Sequence, residues 1–289
     1  MDKDTFFEKK RFINTRGKLL DLKIPRVMGI LNVTPDSFYD GGFYQKPAAI
    51  IKRVNDLLTQ DADIVDIGAC SSRPGAKDIS CEEELKRLCT ALELIRKEFP
   101  EAILSVDTSR AAIAKKVVQD FHVDMINDIS GGMLDAKMPE TIAELQVPYV
   151  MMHMPGNPRN MQEKTQYKDV VAEVIKFLAK QSELFKSLGV NDLIVDPGFG
   201  FGKTIEQNFN ILYRLADFRI LDLPLMVGLS RKSMIYRFLD STPEQSLNGT
   251  TALHMMALER GADILRTHDV REAKETIHLH MKARQEGVS

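Results

Sequence analysis

The chain has 289 residues, 44% of them hydrophobic and 28% charged, the proportions of an ordinary globular protein, which exclude disorder, collagen-like repeats and long coiled coil. Acidic residues number 41 and basic residues 39, for a formal charge of −2. That balance argues against a broad nucleic-acid-binding surface and confines any anion site to a local cluster. Cys70, Cys81 and Cys89 form no C-x-x-C pair, which argues against a disulfide framework or a structural zinc site and fits a reduced, cytoplasmic setting. The charged N-terminus is unlike a signal peptide, and no apolar run approaches the ~18 residues of a membrane helix.

In chain order, residues 1–26 form an N-terminal extension, in which the stretch 12–23, with Arg16-Gly17 at its centre, is expected to fold as a β-hairpin closing the floor of the domain. Eight short runs rich in Val and Ile follow, at 27–33, 63–68, 103–108, 125–130, 148–153, 193–198, 225–230 and 264–269. Their length and composition predict buried parallel strands. Helical patterns follow each of them. They lie at 48–60, 81–99 with Ser80 as N-cap of an acidic first turn, 110–120, 138–146 and 169–189 closed by Gly189. They continue at 204–218, 246–261 closed by Gly261, and 270–284. Eight strand–helix units predict an α/β fold, a (β/α)8 TIM barrel with a short N-terminal β-hairpin extension, in one domain spanning 1–289. A doubly wound open sheet is the alternative, and it requires a topological switch point.

A barrel of this kind carries its active site at the C-terminal ends of the strands. The residues there are Asn32, Asp66, Asp107, Asn127 with Asp128, His153, Asp196, Ser230 through Lys232, and Arg266 with His268. Asp107, Asn127 and Asp196 suit a flat heterocycle with several N–H donors, and Lys232 can donate to a ring carbonyl. Arg73, Arg266 and His268 suit a phosphate or pyrophosphate, because guanidinium forks pair with phosphate oxygens. Arg266 lies inside a strand and therefore requires an anionic or aromatic partner. The loop after the first strand carries Asp36, Phe38 and Asp40 beside Gly41-Gly42, and could close over a substrate and bring carboxylates to a metal or a developing cation. In the segment 198–203 the glycines let backbone approach a ligand, with Phe201 as an apolar wall. It is neither a Walker A loop nor a dinucleotide fingerprint. His122, His254, His278 and His280 read as structural or solvated, and no zinc pattern is present.

These residues resemble the dihydropteroate synthase family of pterin-binding enzymes. The resemblance is carried by eight ordered motifs that cover nearly the whole chain: 28–42, 72–76, 105–108, 127–131, 153–156, 196–203, 228–233 and 266–270. It implies a (β/α)8 barrel, usually a homodimer, that joins 6-hydroxymethyl-7,8-dihydropterin diphosphate to 4-aminobenzoate and releases pyrophosphate. It implies a sulfonamide target and Mg2+, contacted by Asn32. Asp107, Asn127, Asp196 and Lys232 match pterin contacts, Arg266 a residue flanking the pterin, and His268 one that meets the diphosphate. Arg73 matches an arginine near the phosphates. Phe38, Pro74, Phe201 and Ser233 match positions around the aminobenzoate, and Asp40 a first-loop acid working with the metal and the electron-poor carbon. The second loop departs from the family: Gly68-Ala69-Cys70-Ser71-Ser72-Arg73-Pro74-Gly75 stands for Gly-Gly-Glu-Ser-Thr-Arg-Pro-Gly. Ser72 keeps the hydroxyl of the usual threonine, and Cys70 replaces a carboxylate. A methyltetrahydrofolate:corrinoid methyltransferase shares the barrel and pterin contacts but does not need the first- and second-loop motifs. A non-catalytic pterin-binding homologue is the third reading, prompted by the altered second loop. No nucleic acid or membrane partner is expected.

Overall fold

The computed structural model describes residues 12–34, 47–70 and 79–287. It begins with the expected hairpin, β1 (Phe12–Thr15) paired antiparallel with β2 (Lys18–Asp21). Its turn residues Arg16 and Gly17 both have positive φ, 48° and 79°, the signature of a type I′ turn whose twist matches that of the strands. Asn14 Oδ1 accepts from the Gly17 N–H and fixes the bend.

Eight parallel strands follow: β3 (Arg26–Asn32), β4 (Ile64–Gly68), β5 (Leu104–Asp107), β6 (Met125–Asp128), β7 (Tyr149–Met152), β8 (Leu193–Asp196), β9 (Met226–Val227) and β10 (Ile264–Thr267). Their hydrogen-bonded order is β8-β7-β6-β5-β4-β3-β10-β9. The order contains no switch point, and its two ends meet: Val195 bridges Leu225 in parallel sense, and the Val195 N–H donates to Pro224 O at 2.9 Å. The sheet is therefore a nearly closed barrel, and the open-sheet alternative is excluded.

The helices are α1 (Pro47–Thr59), α2 (Cys81–Glu98), α3 (Ala111–Phe121), α4 (Met138–Leu145), α5 (Val170–Ser187), α6 (Ile205–Tyr213), α7 (Ser233–Tyr236), α8 (Leu247–Glu259) and α9 (Val270–Gly287). Ser80 caps α2 as expected, its Oγ accepting from Glu83 N. Thr204 and Gln207 form a reciprocal capping box on α6. Two elements differ from expectation. The helix predicted over 204–218 stops at Tyr213 and tightens into a 3-10 turn, Leu215–Leu221; neither Gly nor Pro marks that break. The strand predicted over 225–230 is two residues long, because the chain leaves the sheet at Gly228 and turns through Arg231 with φ 56°. The short α7 and a 3-10 turn, Pro243–Gln245, then fill the stretch before α8.

Strand alternation sorts the side chains into two layers. Outward residues such as Val27, Leu31, Val65, Ile67, Leu104 and Val106 pack against the helices in the larger core. Inward residues Met28, Ile64, Met125, Val150, Ile194, Met226 and Ile264 fill the lower barrel, and Ile13 and Leu22 of the N-terminal extension plug it from below. Above this apolar layer the inward positions turn polar, and the site lies there.

A polar pocket at the mouth of the barrel

A pocket of about 380 Å3, counting its open mouth, occupies the C-terminal end of the barrel. Asp107, Asn127, Asp196, Lys232 and Arg266 supply its polar lining, and Ile129, Met152, Phe199, Phe201 and Gly228 the rest. Asp107, Asn127, Asp196 and Arg266 come from the inward parity of β5, β6, β8 and β10. Lys232 reaches in from the turn before α7, its ammonium 4.3 Å from the centre of the Phe201 ring. Gly200, with φ 81°, lets the backbone lie against this lysine: a Cβ there would stand 3.3 Å from Lys232 Cδ. Gly198, with φ 73°, tolerates no side chain at all, since a Cβ would overlap the His153 carbonyl.

The charges are interlocked. Arg266 Nε donates to Asp66 Oδ2 at 2.7 Å, and its Nη2 reaches Asp107 Oδ2 at 3.1 Å. This meets the expectation that a strand-borne arginine needs anionic partners. Burial raises the Asp107 carboxyl to about 7, against the pull of Arg266. Burial also raises Asp196, opposed by the Gly198 N–H that donates to it and by Lys232. Lys232 is lowered to about 8, by burial and by Arg266, against the attraction of Asp196 and Asp107. The pocket thus holds two acids and a lysine all displaced toward neutrality.

His268 follows β10. Its N–H donates to Ser230 Oγ, and its carbonyl accepts from Arg53 Nη2 at 2.9 Å. Burial, with Arg266 and Arg231 nearby, lowers its imidazole to about 3. An imidazole held this low is neutral near pH 7 and serves an anion as an N–H donor rather than as a positive charge. Arg53, from the middle of α1, escapes a reading of strand ends, as do Ile129, Met152 and Phe199. Alternation along the strands was the available signal for Met152.

Two rim assignments change. Asp128 neighbours Asn127 on a strand and so faces the opposite way. It is buried outside the barrel, accepting from Ser130 N and Oγ, Gly132 N and the Tyr149 hydroxyl. His153 is buried against Lys203, whose ammonium lies 3.1 Å from His153 Nδ1 and donates to the carbonyls of Gly198 and Phe201. Burial lowers His153 to about 3 and Lys203 to about 7; the pair fastens the loop that carries Phe201. Ser233 is half-buried at the start of α7, beside Lys232 but outside the pocket lining. Asp36, Phe38, Asp40, Ser72, Arg73 and Pro74 lie outside the described residues. Cys70 is described, and burial together with Glu84 pushes its thiol up, away from a reactive thiolate.

Asn32 stands at the end of β3, opposite Gly68, where a Cβ would come 3.5 Å from Asn32 Oδ1 and 3.7 Å from Asp107 Cβ. Among the described residues no group of three or more His, Cys, Asp or Glu could cage a metal. An amide oxygen at a strand end is nevertheless a donor of the class magnesium accepts, since that ion keeps most of its waters and needs few protein ligands. Among the same residues no helix is long and apolar enough to cross a membrane.

The profile of the family described as "Pterin binding enzyme" matches residues 28–268. The dihydropteroate synthase of Escherichia coli (strain K12) is 42% identical over 266 residues, 91% of this chain and 93% of that protein. The crystal structure of the Yersinia pestis dihydropteroate synthase with a sulfonamide drug complex superposes with a TM-score of 0.89 at 38% identity, covering 95% of this chain and 99% of that one. That of the Xanthomonas albilineans dihydropteroate synthase with 4-aminobenzoic acid gives 0.87 at 36% identity, covering 95% and 98%. The chain belongs to the dihydropteroate synthases, pterin-binding transferases of folate synthesis.

Proposed function

We propose that the pocket binds 6-hydroxymethyl-7,8-dihydropterin diphosphate and joins its methylene carbon to the amine of 4-aminobenzoate, releasing pyrophosphate. The carrying observation is the arrangement of acceptors Asp107, Asn127 and Asp196 around one space, with Lys232 and Arg266 as donors. A pterin edge rich in N–H groups meets the acceptors, and Lys232 donates to a ring acceptor atom. Arg266 flanks the ring, and with Arg73 it neutralises charge growing on the diphosphate, to which neutral His268 donates an N–H. Magnesium, contacted by Asn32, supplies further neutralisation of that leaving group when bound. Loss of pyrophosphate leaves a cation delocalised into the pterin, and Asp40 is the acid assigned to stabilise it. The aryl amine attacks that carbon and gives up one N–H proton to the released pyrophosphate; Phe201, Ser233, Phe38, Pro74 and Ser72 are the residues assigned to the aminobenzoate. No covalent enzyme intermediate is required; orientation and fixed charge supply the acceleration.

The whole chain works as one domain in this reading, in the cytoplasm, and as a homodimer. Adjacent α6, α7 and α8 carry exposed Phe238, Leu239 and Leu247 at and near their ends, with Tyr213 also exposed, a surface suited to self-association. Light scattering coupled to size exclusion should give twice the 32.6 kDa chain mass; a monomer at micromolar concentration contradicts the dimer. The activity is tested by following dihydropteroate from the two substrates with Mg2+. Formation by the wild type and its collapse in Arg266→Ala or Lys232→Ala supports the reading; wild-type turnover no greater than those variants contradicts it.

A further inference from the structure

Asp66 touches none of the space in the pocket, yet two of the pocket's polar groups depend on it. It is the middle residue of β4, inward-facing and 0% exposed. Its Oδ2 accepts from Arg266 Nε at 2.7 Å and from Asn127 Nδ2 at 3.1 Å. An arginine this deep needs an anion, and a buried carboxamide needs a reason to present one end rather than the other.

We infer that Asp66 is the positioning residue that sets the pocket's recognition of the pterin: it holds the Arg266 guanidinium in place and keeps the Asn127 amide turned with Oδ1 toward the ligand. The inference rests on the pterin reading of the pocket and deepens it. With Asn127 Nδ2 bound to Asp66, the free oxygen joins Asp107 and Asp196 in a row made only of acceptors. Such a row favours a ring edge of N–H donors and rejects one carrying a carbonyl there, because two acceptors face to face leave both unsatisfied. Asp66 thereby excludes oxo analogues without touching them. An asparagine at position 66 can donate to Asn127 Oδ1 instead, which frees that amide to turn its NH2 toward the ligand.

The test compares wild type, Asp66→Asn and Ser105→Ala. Ser105 is the β5 register partner of Asp66, and its buried hydroxyl has no hydrogen-bond partner among the described residues. Binding of pterin and of lumazine, in which the pterin amino group is a carbonyl, is measured by calorimetry below the melting temperature of each protein. The wild type prefers pterin; in Asp66→Asn the pterin Kd rises about 100-fold, as loss of hydrogen bonds to a buried charge requires, and the pterin-to-lumazine preference shrinks about 10-fold. The KM for 4-aminobenzoate stays within a factor of about three. Ser105→Ala changes neither ratio. A general loss of structure moves both KM values together and leaves selectivity alone, and that result overturns the proposal. Wild type that fails to bind pterin overturns the pocket reading itself, and this proposal with it. Should Asp66→Asn not fold, the wild-type protein still decides the matter by NMR, with the Arg266 Nε–H resonance assigned by its loss in Arg266→Lys. A proton protected from solvent exchange supports the charge-assisted bond to Asp66; one exchanging as in a free guanidinium overturns it.

Discussion

Asp107 and Lys232 ionise at about 7 and about 8 within one pocket, so their combined state confers a pH window. The Asp107 acceptor forms as pH rises through about 7, where burial has raised it. The Lys232 donor is lost as pH rises through about 8, where burial and Arg266 have lowered it. The kcat/KM for the dihydropterin substrate, which reports the free enzyme, should therefore be bell-shaped with limbs near those values. Lys232→Arg should carry the alkaline limb above pH 9, since guanidinium stays protonated; an unmoved limb contradicts the assignment. Asp107→Asn should abolish the acid limb and cost about 10- to 100-fold, the worth of hydrogen bonds to a charged group. At this scale the sequence was most legible where a residue type has a strong electrostatic demand. Arg266 announced a buried anion, and Asp66 and Asp107 answer it. Asp128 departs from the rim because adjacent residues of a strand face opposite ways, a rule legible in the sequence itself. Arg53 was not legible, since nothing in a helical pattern marks which side chain will reach a neighbouring strand end.

Short elements carry the geometry. The loop from Gly198 to Lys203 is shaped by positive φ at three glycines and fastened by the buried Lys203. Gly200→Ala should cost about 1–2 kcal/mol for the left-handed backbone and weaken pterin binding by displacing Lys232. Gly198→Ala must also push back the His153 carbonyl, so its Tm should fall further than that of Gly200→Ala; equal losses in a thermal melt contradict this account of the loop. At the other end of the barrel, Ile13 is fully buried among Met28, Ile64 and their neighbours. Ile13→Ala should destabilise by about 2–5 kcal/mol, with kcat at a permissive temperature unchanged, because the plug and the pocket are separated by an apolar layer. A kcat that falls with stability would show the two ends coupled. The hairpin was legible from Arg16-Gly17, and eight strands from their apolar runs. The break between α6 and its 3-10 turn was not; Arg214, at the break, pairs with Asp169 at the head of α5. Propensity has no access to such a contact.

Across the whole molecule, near-neutral charge conceals a sharp local concentration. Arg53, Arg231, Arg266 and Lys232 gather near the C-terminal ends of β9 and β10, interleaved with Asp66, Asp107, Asp196 and Asp269, so both signs are concentrated at one rim. The barrel makes this possible, since period-2 strands project their inward residues onto one axis and stack an apolar floor beneath a polar rim. The central claim is that this rim recognises a dihydropterin diphosphate and transfers its methylene to an aryl amine. The most direct measurement supplies the purified chain with the dihydropterin diphosphate, 4-aminobenzoate and Mg2+ and quantifies dihydropteroate and pyrophosphate together. The account predicts the two products in equal amounts, with at least about a 100-fold loss in Arg266→Ala, whose guanidinium joins the ring site to the diphosphate site. Pyrophosphate without dihydropteroate, or wild-type turnover no better than the variant, would contradict it.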